Sequence, residues 1–209
     1  MKSWIFLICL VVSSGRIRAQ KIVSECTVVY ELSVSDSKAD PNLVKSMEGT
    51  TKTVYIKGSK IRVDIQSPSF SQSTFKDSRS DTTVILRELG NAKYMSYLSK
   101  EKVHQQNQKY DEITFSPTGE SKTILGYDCK KAEAKLKDGS TYSIYYTTAI
   151  VPSNKEWEYQ FRNLPGFALE YETQAENGKS TIKYAATRIS IVPVQSARFD
   201  IPQSGYRIL

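Results

Sequence analysis

Period-two alternation of apolar and polar side chains runs through most of the chain while 3.6-residue periodicity is scarce, which confines the fold to the mainly β classes. Ile61, Val63 and Ile65 interleave with Arg62, Asp64 and Gln66, the pattern of a half-buried strand with one wet face. Thr53 to Lys57 reads as its hairpin partner through Lys57-Gly58-Ser59. A second hairpin joins 82–88 to 93–98 at Leu89-Gly90-Asn91, and a third joins 130–137 to 140–148 at Lys137-Asp138-Gly139. The fourth joins 167–174 to 180–187 at Glu176-Asn177-Gly178-Lys179. Asn-Gly and Asp-Gly supply the positive φ that tight hairpins need. Four such units imply a single curved antiparallel sheet or incomplete barrel of about ten strands.

Helix is expected at two places only. Asp40 caps Pro41–Glu48 with Pro41 at the first helical position, and a second segment covers Lys100–Tyr110. Neither is long enough to cover a large sheet. Residues 67–81, with six Ser among fifteen residues, read as a mobile loop. No repeat or domain-sized linker interrupts 20–209, so one β-rich domain is expected there.

The amino-terminal 19 residues stand apart. Trp4–Val12 is an unbroken apolar run of nine behind Lys2, too short for the about 20 residues of a membrane span, and Ala19 is the small residue a signal peptidase requires. Cleavage between Ala19 and Gln20 is expected, giving a periplasmic or secreted protein without a transmembrane segment. Cys9 lacks the small residue that precedes a lipidated cysteine. Loss of Lys2, Arg16 and Arg18 from the 29 Lys+Arg leaves 26 against 22 Asp+Glu, a net charge of +4. That charge is spread through mixed acidic and basic stretches and forms no stripe for nucleic acid.

Cys26 and Cys129 are then the only cysteines, in a compartment where disulfides persist. A Cys26–Cys129 bond is the first expectation and would close a loop of about 100 residues, worth up to ~4.7 kcal/mol by the chain-entropy account. The parities conflict, because Cys26 follows Val28, Tyr30 and Leu32, whereas Cys129 follows Lys131, Glu133 and Lys135. Either a bulge turns Cys129 inward or the thiols are separate small hydrophobes.

Little in the sequence points to catalysis. His104 is the single histidine and lies in the polar Lys102-Val103-His104-Gln105-Gln106, so it reads as a surface residue. Zinc ligation by His and Cys sets, nucleophile elbows and phosphate loops all lack their residues, so neither metal nor cofactor is expected. Glu156, Glu158, Glu170 and Glu172 stand at the parity opposite Trp157, Tyr159, Phe167 and Leu169 and are expected to face water, where carboxylates are poor general acids. A non-enzyme is expected.

Trp157, Tyr159, Phe161, Phe167 and Leu169 share one parity on either side of Leu164-Pro165-Gly166. Pro165 cannot donate to a central ladder, so that step is expected to be a bend or bulge. The stripe either fills the core or lines a cavity for an apolar guest.

Three blocks in this half resemble those of the GLPGLI family of exported Gram-negative envelope proteins. They are Thr123-Ile124-Leu125-Gly126-Tyr127-Asp128-Cys129-Lys130-Lys131-Ala132, Tyr145-Tyr146-Thr147-Thr148-Ala149-Ile150 and Leu164-Pro165-Gly166. The ending Arg198-Phe199-Asp200-Ile201-Pro202 with Gly205-Tyr206 resembles that of LolA/LolB-like lipoprotein carriers. Asn163, Phe167-Ala168 and Tyr145 depart from the GLPGLI pattern, so the chain resembles the wider LolA-like superfamily more than any one branch of it. The resemblance implies an incomplete barrel closed by helices over an apolar cavity, with no fixed catalytic residue. The function expected is a monomeric carrier of an apolar ligand, a lipid or the acyl chains of a lipoprotein, with an outer-membrane protein as a further partner. The alternative is a protein-interaction module with a filled core.

Overall fold

Residues 20–35, 39–175 and 180–209 are described by the computed structural model; the signal reading of 1–19 and the turn at 176–179 lie outside them. In chain order come β1 (Lys21–Val23), β2 (Glu25–Val34), α1 (Pro41–Met47), β3 (Thr51–Lys57), β4 (Lys60–Gln66), β5 (Phe70–Asp77), β6 (Thr82–Leu89) and β7 (Ala92–Ser99). They are followed by α2 (Lys100–Asn107), β8 (Thr114–Ile124), β9 (Tyr127–Lys135), β10 (Thr141–Thr147), β11 (Ile150–Pro152), β12 (Phe167–Gln174), β13 (Thr181–Ser190) and β14 (Arg207–Ile208). Twelve strands form one sheet in the order β14-β7-β6-β5-β4-β3-β2-β13-β12-β10-β9-β8, while β1 and β11 pair in parallel beside it. Every pairing in the large sheet is antiparallel except β14 with β7. The mainly β class, the curved open antiparallel sheet and the two short helices agree with the sequence reading. Asp40 accepts from the Asn42 amide and Ser99 from the Lys102 amide, so both helices begin on side-chain caps.

Alternation sets the inner face. Cys26, Val28 and Tyr30 on β2 and Lys52, Val54 and Ile56 on β3 point inward into the main core. Gly58, with φ 57°, closes the β3–β4 turn where a Cβ would be strained. In the β8–β9 turn Leu125 holds φ 51°, alone among described non-glycine residues in that region.

Three expectations change. Residues 67–81 are not a loop, because Phe70–Asp77 forms β5, which pairs with β4 over Ser71–Asp77 and with β6 over Phe70–Phe75. The face carrying Arg62 and Asp64 is not wet: Asp64 is buried, and the segment after β13 crosses that side. There Arg62 donates to the Arg198 carbonyl at 2.7 Å, Phe199 is buried, and Ile201 and Tyr206 pack on Phe75, Val84, Leu86 and Met95. Cys26 and Cys129 do not pair; both thiols are free and buried in the same apolar cluster. Inward phase switches between Cys129 and Ala132, opposite a register shift in β8 between Pro117 and Ser121, which turns Cys129 inward. Yet β2 and β9 stand four places apart, on the order of 19 Å along the sheet, against the ~4.4–6.8 Å between Cα atoms that a disulfide spans. Burial pushes the Cys26 thiol up to about 12 and the Cys129 thiol up to about 11.

Candidate functional site

Four of the five stripe residues fill the core. Trp157 and Phe161 are 1% exposed, and Phe167 and Leu169 are 0% exposed. Trp157 stacks between Phe167 (ring centroids 4.5 Å apart) and Phe161 (5.1 Å), and Phe161 meets Tyr171 edge-on at 4.8 Å. Residues 153–166 are not a strand, and Tyr159–Phe161 makes one turn of 3-10 helix. Trp157 precedes this turn, across an extended Glu158, and Phe161 ends it, so strand parity does not carry through: Trp157 and Phe161 go in while Tyr159 turns outward. Leu164-Pro165-Gly166 is the expected bend, with Leu164 buried and Pro165 exposed. A Cβ on Gly166 would lie 2.0 Å from the Thr147 carbonyl oxygen, so only glycine lets the chain approach β10.

Tyr159 borders a cavity of about 520 Å³ between the inner face of β4–β6 and α2. Ile61, Lys76 and Thr83 form its floor, and Val103, His104, Asp111, Glu156, Tyr159 and Arg162 line it too. No residue of α2 is buried, so the helix covers this part of the sheet without filling it.

Polar contacts tie the helix down. The Tyr159 hydroxyl donates to Asp111 Oδ1 at 2.6 Å, which uses its only proton, so the contact at 2.8 Å with His104 is a hydrogen bond from His104 Nδ1–H. Arg162 Nη2 donates to the Asp111 carbonyl (3.2 Å) and to Oδ1 (3.3 Å), and its guanidinium stands 4.3 Å from the Tyr159 ring centroid. The Tyr159 hydrogen bond, helped by the charges of His104 and Arg162 and opposed by burial, holds the Asp111 carboxyl below its ordinary range. Burial and Asp111 together push the Tyr159 phenol up. His104 is exposed, as the sequence reading expects, and it also forms part of the cavity wall, a role that nothing in its polar sequence context marks.

A second hollow, about 230 Å³, shares Lys76 and Tyr159 with the first and includes Lys52, Tyr110, Glu158, Gln160, Tyr171 and Tyr184 in its lining. Glu158 does not face water: its side chain is 14% exposed and pairs with Lys52, itself 6% exposed. Lys52 Nζ also donates to the Tyr171 hydroxyl at 2.8 Å and lies 5.2 Å from the Tyr184 ring centroid. Glu170 is covered too, held by Lys122 at 2.8 Å and Lys183 at 3.1 Å. Lys76 has no hydrogen-bond or ion-pair partner among the described residues, and burial lowers its pKa. Gln160 donates from Nε2 to Glu158 at 3.3 Å, while its buried Oε1 accepts from no described residue. No group of three or more His, Cys, Asp or Glu among the described residues is arranged to hold a metal, and none of their helices is long and apolar enough to cross a membrane.

Residues 42–206 match the family described as "Domain of unknown function (DUF4412)". Among solved structures, the chain is similar to an uncharacterized conserved protein from Thermus thermophilus, with TM-score 0.50, 10% identity and coverage of 89% of this chain and 90% of that one. It is also similar to PNGF-II, with TM-score 0.47 and 15% identity over 88% of this chain, but it spans only 30% of that protein. No curated protein matches.

Proposed function

The chain belongs to the DUF4412 family, and we propose that it is an exported, non-enzymatic binding module of LolA-like type, related to the GLPGLI proteins, that carries an amphiphilic ligand in the cavity beneath α2. The observation that carries this reading is the about 520 Å³ of space left where a helix with no buried residue covers the inner face. That volume falls within the roughly 300–1,000 Å³ of small-molecule sites. The ligand's apolar part lies on Ile61, Val103 and the Tyr159 ring, not on Trp157, Phe161, Phe167 and Leu169, which are occupied with one another. Each CH₂ moved there from water contributes about 0.8 kcal/mol. Export with cleavage after Ala19, a monomeric state and hand-over to a lipoprotein or an outer-membrane partner belong to the same proposal.

Native mass spectrometry of detergent-free protein tests it. Co-purifying lipid-sized mass is expected, and Val103→Arg, a change on the half-buried side of α2, is expected to remove it with the fold intact. A bare mass, with no binding of 1-anilinonaphthalene-8-sulfonate, overturns the reading. The interaction-module alternative draws support from β8, an eleven-residue edge strand whose outer side has no neighbour in the sheet.

A further inference from the structure

Three observations meet at the junction of the two hollows. Lys76 borders both, yet its ammonium has no hydrogen-bond or ion-pair partner among the described residues. The carboxylates whose charge reaches it are Glu158, already neutralised by Lys52, and the exposed Glu156. Lys52 adds repulsion. Beside it in the smaller hollow, Gln160 is 9% exposed and keeps an orphaned Oε1. Buried polar atoms in folded proteins are almost always paired, and each orphan points to a missing partner. The junction thus presents a cation in need of an anion and an acceptor in need of a donor.

We propose that Lys76 and Gln160 receive the head of the ligand, and that this head is a carboxylate with a hydroxyl or amide N–H a few atoms away. The proposal rests on the cavity reading above and names the ligand class for it: the carboxylate accepts from Lys76 Nζ, the neighbouring donor binds Gln160 Oε1, and the chain extends beneath α2. Lys52 and Glu158, being mutually neutralised, leave Lys76 as the cation open to the head. Burial holds the lysine amine below its ordinary range, so an arriving carboxylate also secures its proton.

Calorimetric titration of the protein with four probes tests this: 3-hydroxydodecanoate, dodecanoate, methyl dodecanoate and 3-hydroxybutyrate. Dodecanoate is expected to bind roughly ten- to a hundred-fold more tightly than its methyl ester, as one charge-assisted hydrogen bond implies, and the 3-hydroxyl is expected to add a further few-fold. Lys76→Met brings the acid to the level of the ester, and Lys76→Arg restores the preference. Equal binding of acid and ester overturns the head site while leaving the cavity reading in place, and is the result if the small hollow holds only water. No gain from the hydroxyl removes Gln160 from the site. Binding of 3-hydroxybutyrate as tightly as its twelve-carbon counterpart keeps the head site and overturns the cavity reading. Absence of binding by all four overturns both.

Discussion

From β2 across β13, β12, β10 and β9 the inner face carries Tyr30, Tyr171, Phe167 and Ile144, with Trp157 and Phe161 pressed onto it; along β4, β5 and β6 the same face carries Ile61, Lys76 and Thr83 and borders open space. Both regions belong to one sheet. They differ in the segment that crosses them. Residues 153–166 bring two buried aromatic rings to the first, while α2 brings no buried residue to the second. Curvature alone therefore does not decide whether a cavity exists; the side chains of the covering segment do.

Truncation should separate the regions most strongly. Trp157→Ala is expected to cost about 3–5 kcal/mol, a fall in Tm of roughly 6–20 °C, because the two rings stacked on it cannot close the gap. Val103→Ala, beside the cavity, should stay within about 0.5 kcal/mol. Equal losses in thermal unfolding would break the comparison. Next in size is the ion pair at the border. Lys52→Met leaves Glu158 buried without its cation and should cost about 3 kcal/mol, whereas Lys52→Met with Glu158→Leu should recover much of that loss. A double variant no better than the single one would show that the Tyr171 hydrogen bond, not the charge, is what Lys52 supplies.

The same contrast explains what the sequence could reveal. Strands backed by the filled core alternate visibly: Cys26, Val28 and Tyr30, or Val54 and Ile56, announce their inner face. β5 escaped because its inward residues, Gln72, Thr74 and Lys76, face the cavity side and carry no apolar rhythm, while Phe75 packs outward under the final segment. The strand hardest to read is thus one that lines the candidate site. Turn residues and helix caps act locally, so the hairpins and the start of the first helix are readable from a few neighbours, Asp40 and Pro41 among them. The split of Tyr159 from Trp157 and Phe161 depends on one helical turn, and the pairing of Glu158 with Lys52 spans 106 positions, so neither leaves a local trace.

Gly166→Ala examines the seam between β10 and the covering segment. Its new Cβ would meet the Thr147 carbonyl, and overpacking of this kind costs about 1–3 kcal/mol, read as a lower urea midpoint at unchanged slope. Pro165→Leu, at the exposed position beside it, should change little. A neutral Gly166→Ala would mean that the bend can slide, and that the aromatic plug is less rigidly seated than its stacking implies.

The smallest effect belongs to α2. His104→Ala removes one hydrogen bond, from Nδ1 to the Tyr159 hydroxyl, and should cost about 1 kcal/mol or less globally. It should nevertheless speed amide exchange in Lys100–Asn107 while leaving β2 and β12 protected, because the helix has no buried residue to hold it in place. Acid should act on the same clasp from its other end. Asp111 is held below its ordinary range first by the Tyr159 hydrogen bond, so its contribution is complete above the unfolded value of about 4 and is lost as pH falls through the lower folded value. Exchange in α2 should therefore stay flat from neutral pH down to about 4 after correction for intrinsic rates, then rise, and Tyr159→Phe should shrink the rise, leaving the part that Arg162 sustains. Loosening of α2 and β12 together, at the same pH, would mean that the covering helix and the filled core open as one unit and that the two regions are not separable.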